Sequence, residues 1–132
     1  MTTETDDAVL LAEIRRFVRD EVIPAAAEHE LADTYPQALV DRMKEIGLFG
    51  ATIPEQYGGA GMSITTYARV VEELAAGWMS ISGIINAHLI LAYAIEKHGD
   101  ESLKQRYLPE LAAGRKRGAL GLTEATAGSD AQ

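Results

Sequence analysis

The stretch that decides the fold runs from Ser80 to His98, SISGIINAHLILAYAIEKH, and is followed by Gly99. Between Ile81 and Ile95 its polar side chains are Ser82, Asn86, His88 and, through its hydroxyl, Tyr93. A helix that is apolar nearly all round is a buried helix. The apolar run falls short of the roughly 20 residues that span a bilayer. This stretch is therefore expected to be the central element of a bundle, with Gly99 as its stop.

Working outward, helical periodicity continues on both sides. Leu10, Leu11, Ile14, Phe17, Val18 and Val22 recur at spacings of three and four and form one apolar stripe. Asp6 and Asp7 suit the start of that helix, as a cap and through the dipole. Pro24 is expected to kink or end it, leaving Glu28 and Glu30 in a polar stretch. A second helix is expected from Pro36, with Leu39, Met43 and Ile46 buried and Gly47 as its stop. Residues 47 to 62 hold Gly47, Gly50, Gly58, Gly59, Gly61 and Pro54 and read as a loop. Ser63 is the expected N-cap of a third helix, whose stripe would be Ile64, Tyr67, Val71, Leu74 and Trp78. Beyond the central helix, Asp100 caps a last one with Leu103, Tyr107 and Leu111 stacked, interrupted by Pro109 and ended by Gly114. From Gly118 to Thr123 the helical stripe is lost and the sequence reads as a first strand. The predicted fold class is all-α, an antiparallel helical bundle with a short strand-like C-terminal tail.

The chain has 132 residues, a formal net charge of −8 from 20 acidic and 12 basic side chains, and no cysteine. The length is that of one domain. Without cysteine there is no disulfide, thiolate metal site or cysteine nucleophile. The acidic balance argues against a nucleic-acid or anionic-membrane binder. Met1 to Asp7 carries three acids and no base, so neither a secretory signal nor a transit peptide is expected, and a cytoplasmic location follows.

The chemistry-bearing residues are sparse. His29, His88 and His98 show no metal-ligand spacing, so His88 is expected hydrogen-bonded in the core and the other two at the surface. Glu72 and Glu73 diverge on a helix and cannot share one proton site; an Arg partner for one of them is the alternative to a solvated face. Arg115-Lys116-Arg117 reads as a solvated turn before it reads as a phosphate patch. Gly58-Gly59-Ala60-Gly61 lacks the order of a nucleotide-binding loop and reads as a tight turn. Thr123 to Asp130 offers hydroxyls and amide groups that could hydrogen-bond a ligand, or simply form a capping turn.

Several segments, in order, resemble the acyl-CoA dehydrogenase family. Phe17-Val18-Arg19-Asp20-Glu21-Val22-Ile23-Pro24 is similar to its first helix. Gly47-Leu48-Phe49-Gly50 with Ile53-Pro54-Glu55-Gln56-Tyr57-Gly58-Gly59 resembles its G-L-x-G … P-E-x-Y-G-G loop. Glu72-Glu73-Leu74-Ala75 and Lys97 to Pro109 resemble its next two helices. Leu122-Thr123-Glu124 … Gly128-Ser129-Asp130 resembles its L-T-E-P-x-A-G-S-D motif, with Ala125 and Thr126 where the family has Pro and Gly. Pro presets a turn and Gly tolerates positive φ, so a looser turn is expected here.

The resemblance implies an FAD-dependent oxidation of the Cα–Cβ bond of an acyl-CoA thioester to the 2-enoyl-CoA, with electrons passing to an electron-transfer flavoprotein. Carried over by position, Leu122 and Thr123 would contact the isoalloxazine ring, with Leu120 beside them. Gly128 and Ser129 would line the flavin pyrophosphate and the CoA side. Asn86 on the central helix would face the acyl chain. Residues 1–117 would be the N-terminal helical domain and 118–132 the start of a truncated middle β-domain. The missing domains would carry the catalytic base, most FAD contacts and the interface of a dimer or tetramer. The fold also serves acyl-CoA oxidases and flavin monooxygenases. The L-T-E and G-S-D halves favour a dehydrogenase over a monooxygenase and leave an oxidase open. The reading from another class is a non-catalytic helical domain that binds a partner subunit.

Overall fold

A computed structural model describes residues 4–129, with side chains from Asp7 onward. Among the described residues there are six α-helices: α1 (Glu4–Phe17), α2 (Ile23–Ala32), α3 (Gln37–Glu45), α4 (Ile64–Gly77), α5 (Met79–His98) and α6 (Glu101–Ala112). α1 packs on α4, α4 on α5 and α5 on α6. The single extended residue Trp78 turns the chain between α4 and α5, and such short connections make neighbours antiparallel. The core is one apolar cluster that includes Ile14, Val22, Met43, Phe49, Leu74, Ile85 and Leu108.

The first helix does not break at Pro24. A π-helical turn, Val18–Val22, joins α1 directly to α2, and the Ile23 amide donates to the Val18 carbonyl. Pro24 falls in the first turn of α2, directly after the π turn, whose wider spacing accommodates a residue that has no amide hydrogen to donate. Glu28 and Glu30 are thus helical rather than in a polar connection. Asp7 lies inside α1 and is no cap; its carboxylate accepts from the Thr66 hydroxyl at 2.7 Å. α6 likewise runs through Pro109 to Ala112. Leu108, Leu111 and Ala112 are all buried, and that packing outweighs one lost backbone bond.

The α4 stripe is rotated from the expected one. Thr66, Val70 and Leu74 are buried, while Ile64 is 69% exposed. The cause is polar: the Thr66 amide donates to Ser63 Oγ at 3.1 Å and the Thr66 hydroxyl reaches inward to Asp7. On α6, Leu103 is outside at 40% exposure and Leu108 takes its place in the core.

The central helix α5 is buried on one face only. Ile81, Ser82, Ile85, His88, Leu89 and Ala92 face the core, whereas Met79, Ile90 and Tyr93 are exposed. Its 20 residues are, contrary to the sequence expectation, long and apolar enough by length and composition to cross a bilayer. Here the helix packs between α4 and α6.

The loop after α3 is compact. It holds two 3₁₀ turns, Leu48–Gly50 and Glu55–Tyr57. The amides of Ala60 and Gly61 donate to the carbonyls of Gly50 and Ile53, each at 2.9 Å. Gly50 lies against the Ala112 carbonyl and the Gly59 Cα, and a Cβ on Gly59 would sit 2.0 Å from the Ile53 oxygen. Gly50 therefore seats the loop on α6 and Gly59 closes the loop on itself at Ile53, whereas Gly47 and Gly58 meet nothing within 4 Å and serve turns of positive φ. Tyr57 adds a hydroxyl contact to Glu101 at 3.3 Å.

After Gly114 the tail carries no strand among the described residues. Residues 118–123 make no backbone–backbone hydrogen bond among the described residues. A strand is defined by a neighbour that accepts its hydrogen bonds, and no neighbouring strand is described.

Candidate functional site

Two surfaces of α5 carry the residues singled out from sequence. On the first, Asn86, Leu89, Ile90 and Tyr93 stand at spacings that form one stripe and face Ile64 and Tyr67 of α4. Together they enclose an open, mostly apolar groove of about 230 Å³, with Thr52 of the loop on its wall. The Tyr67 hydroxyl donates to Asn86 Oδ1 at 2.6 Å. Burial pushes the Tyr67 phenol up to about 12, so it holds its proton across the physiological range. Tyr67 entered the sequence reading only as a stripe residue. Its spare hydroxyl on a helix edge was the available signal, but its partner is on another helix.

On the second surface the tail leaves the bundle. Gly118 lies against Leu91, where a Cβ would meet the leucine side chain at 2.0 Å. Arg117 stacks on the Tyr35 ring, 5.3 Å from its centroid, and donates to the Tyr35 hydroxyl. Lys116 lies over the Tyr107 ring and Arg115 pairs with Glu110 at 2.6 Å. The three basic residues therefore go to three separate partners and form no common phosphate patch. Neither Tyr35 nor its contact with Arg117 was legible locally, since 82 positions separate them.

Of the tail residues, Leu120 and Leu122 are more than half exposed, and Thr123, Gly128 and Ser129 are exposed. Glu124 and Ala127 close a turn, the Glu124 amide donating at 2.8 Å and the Ala127 amide at 3.4 Å. Thr126 adopts no positive φ there. Asp130, the end of the motif, lies outside the described residues. Asn86 and the tail root are not brought to one surface. Ile84 and His88 border the tail root, and Asn86 is about 200° round the helix from each of them.

The remaining candidates are structural. His88 Nε2 donates to the Leu111 carbonyl at 3.1 Å, the ring packs edge-on to Phe49, and Nδ1 has no partner among the described residues. Burial pushes its pKa below the ordinary 6.5, against smaller opposing effects of the Leu111 and Phe49 carbonyls. His29 stacks on Trp78, and His98 is exposed at the end of α5. No group of three His, Asp or Glu side chains able to hold a metal occurs among the described residues. Glu73 pairs with Arg15 at 2.6 Å while Glu72 faces solvent. No carboxylate lines the Asn86 groove among the described residues.

The sequence profile of the acyl-CoA dehydrogenase N-terminal domain matches residues 4–115. The chain belongs to the acyl-CoA dehydrogenase family. It is 42% identical over 118 residues to the short-chain specific acyl-CoA dehydrogenase of Clostridium acetobutylicum, covering 89% of this chain and 31% of that protein. It matches, with TM-score 0.89 and 35% identity, a chain solved in work on the electron transferring flavoprotein of Acidaminococcus fermentans, covering 99% of this chain and 34% of that one. A third match is glutaryl-CoA dehydrogenase of Mycobacterium smegmatis in complex with FADH2, with TM-score 0.86 and 29% identity, covering 97% of this chain and 33% of that one. The chain thus spans about a third of the length of these three matches. The family match takes in all six helices and stops at the root of the tail.

Proposed function

We propose that this chain is the helical portion of an FAD-dependent acyl-CoA dehydrogenase that oxidises the Cα–Cβ bond of an acyl-CoA thioester. The observation that carries this reading is the family match over residues 4–115, followed directly by the Leu122-Thr123-Glu124 and Gly128-Ser129 segments. The residues present fit a flavin: an exposed leucine beside an exposed hydroxyl, on a segment whose amides have no backbone acceptor among the described residues, offers an apolar face and donors for a flat, polar-edged ring. FAD supplies the acceptor for the β-hydride. In this reading Leu122 and Thr123 would contact the ring, with Leu120 beside them, and the Thr123 hydroxyl would stabilise charge that develops on it. Gly128 and Ser129 lie toward the pyrophosphate and CoA. Asn86 borders the acyl group. No residue of this chain is assigned as the base that removes the α-proton. We also propose an electron-transfer flavoprotein as acceptor, a dimer or tetramer, and a cytoplasmic location.

The test is a chimera in which residues 4–129 replace the aligned segment of the short-chain relative. It is expected to purify yellow and to reduce a dye acceptor with butyryl-CoA. A folded, colourless and inactive chimera would refute the reading. The 132-residue chain alone, mixed with FAD, is expected to bind no flavin tightly and to turn over no acyl-CoA.

A further inference from the structure

Past α6 the chain returns three basic side chains to the bundle, and the third goes where the first two do not. Arg115 and Lys116 tie back to α6 itself, at Glu110 and over the Tyr107 ring, and the Lys116 amide donates to the Glu110 carbonyl at 3.1 Å. Arg117 instead crosses to the connection between α2 and α3. Its guanidinium lies 5.3 Å from the Tyr35 ring centroid and donates to the Tyr35 hydroxyl. A planar guanidinium stacks on a ring and bonds in the ring plane of its neighbour as an ammonium does not.

This crossing decides the course of the residues that follow. Gly118 lies on Leu91, where a Cβ would meet the leucine side chain at 2.0 Å. Beside it, Tyr35, Ile84, His88, Arg117 and Ala119 border an open cleft of about 380 Å³, so the root of the tail bridges this cleft and does not fill it. Ile84, His88 and Leu91 form one stripe of α5. Residues 118–123 make no backbone–backbone hydrogen bond among the described residues, and Gly118 and Gly121 add conformational freedom. Such a segment does not set its own direction. The direction is set where the segment is fixed, at Arg117 and Gly118.

We propose that Arg117, seated on Tyr35, is a positioning residue that turns the tail across the Ile84–His88–Leu91 stripe of α5 and so presents Leu122 and Thr123. This inference rests on the assignment of those two residues to the flavin. The experiment uses the 132-residue chain. It has no cysteine, and Gly121 is exposed with nothing within 4 Å of an added Cβ, so Gly121→Cys carries a single nitroxide label. Paramagnetic broadening of the Ile84, His88 and Leu91 amides in the ¹⁵N spectrum reports the tail on its stripe.

Arg117→Ala is expected to lower the ratio of seated to free tail about 5- to 30-fold, the worth of one cation–π contact with one hydrogen bond, and the broadening falls with it. Tyr35→Leu is expected to do the same, and the double variant to lose no more than either single one, because both remove one contact. Tyr35→Phe, which keeps the ring, is expected to fall between the parent and Tyr35→Leu. Arg115→Ala, whose partner is on α6, is expected to leave the broadening unchanged. Unchanged α4 and α6 shifts in each variant report its fold. Broadening that survives Arg117→Ala, or a further loss in the double variant, overturns the inference. In the chimera described above, Arg117→Ala is expected to weaken FAD binding by the factor by which the seated fraction falls, with KM for butyryl-CoA unchanged. Unchanged FAD affinity there overturns the positioning role. A folded, colourless parent chimera removes the flavin assignment and the positioning role with it, while the seated root stands on the broadening alone.

Discussion

Replacing Gly59 with alanine tests the packing that closes the loop after α3 on itself. The added Cβ would stand 2.0 Å from the Ile53 oxygen and 2.6 Å from both the Ile53 carbonyl carbon and Cβ. Favourable carbon contacts begin near 3.5 Å, so the two backbone segments must separate. The Ile53 oxygen cannot simply retreat, because the Gly61 amide donates to it at 2.9 Å. Moving the Gly59 side instead opens the Ala60 bond to the Gly50 carbonyl and lifts Gly59 from Gly50, which itself touches Ala112. One or two lost backbone bonds at about 1 kcal/mol each, with about 1–3 kcal/mol for the displaced packing, give about 2–5 kcal/mol of destabilisation. For a chain of 132 residues that is a Tm lower by about 7–18 °C. Circular dichroism at 222 nm, scanned against temperature, reads it. Gly58→Ala is the control. Its φ is +81° with nothing within 4 Å, so it carries only the left-handed backbone cost of about 1 kcal/mol. A Gly59→Ala chain that melts no lower than Gly58→Ala would refute the reasoning.

Gly83 lies inside α5 at an exposed position, with open space where a Cβ would go; Gly83→Ala is expected to raise stability by about 0.5–1 kcal/mol, measured by urea unfolding. His88 gives a pH dependence. Its folded-state pKa lies below the ordinary 6.5, so below that pH the unfolded chain takes up a proton that the folded chain resists. Its contribution to stability is full above pH 6.5 and is lost as the pH falls from there toward the depressed folded value. Urea midpoints between pH 7 and 5 are expected to fall in the parent chain and to fall less in His88→Phe; equal slopes would exclude His88 as the source.

The elements recovered from sequence are those set by local physics. The caps at Ser63 and Asp100 accept from the amides of Thr66 and Leu103 as their side-chain chemistry requires. Gly47 ends α3 with φ +79°, which its missing Cβ allows. The errors fall where a distant contact outweighs a local preference. Pro24 and Pro109 did not break helices because a π turn in one case and buried leucines in the other accommodated them. The α4 stripe turned because Thr66 bonds to Asp7, 59 positions away.

From sequence alone came the helical class, most of the caps, the glycine-rich loop, and the tail residues and Asn86 as candidates. Tertiary structure alone decided that α5 buries one face, that Gly50 of the loop touches α6, and that Asn86 is held by Tyr67 across the α4–α5 boundary. The physical reason is range. Caps, turns and periodicity depend on neighbours a few residues away. The direction of a carboxamide or the exposed side of an apolar helix depends on which other segments fold against it.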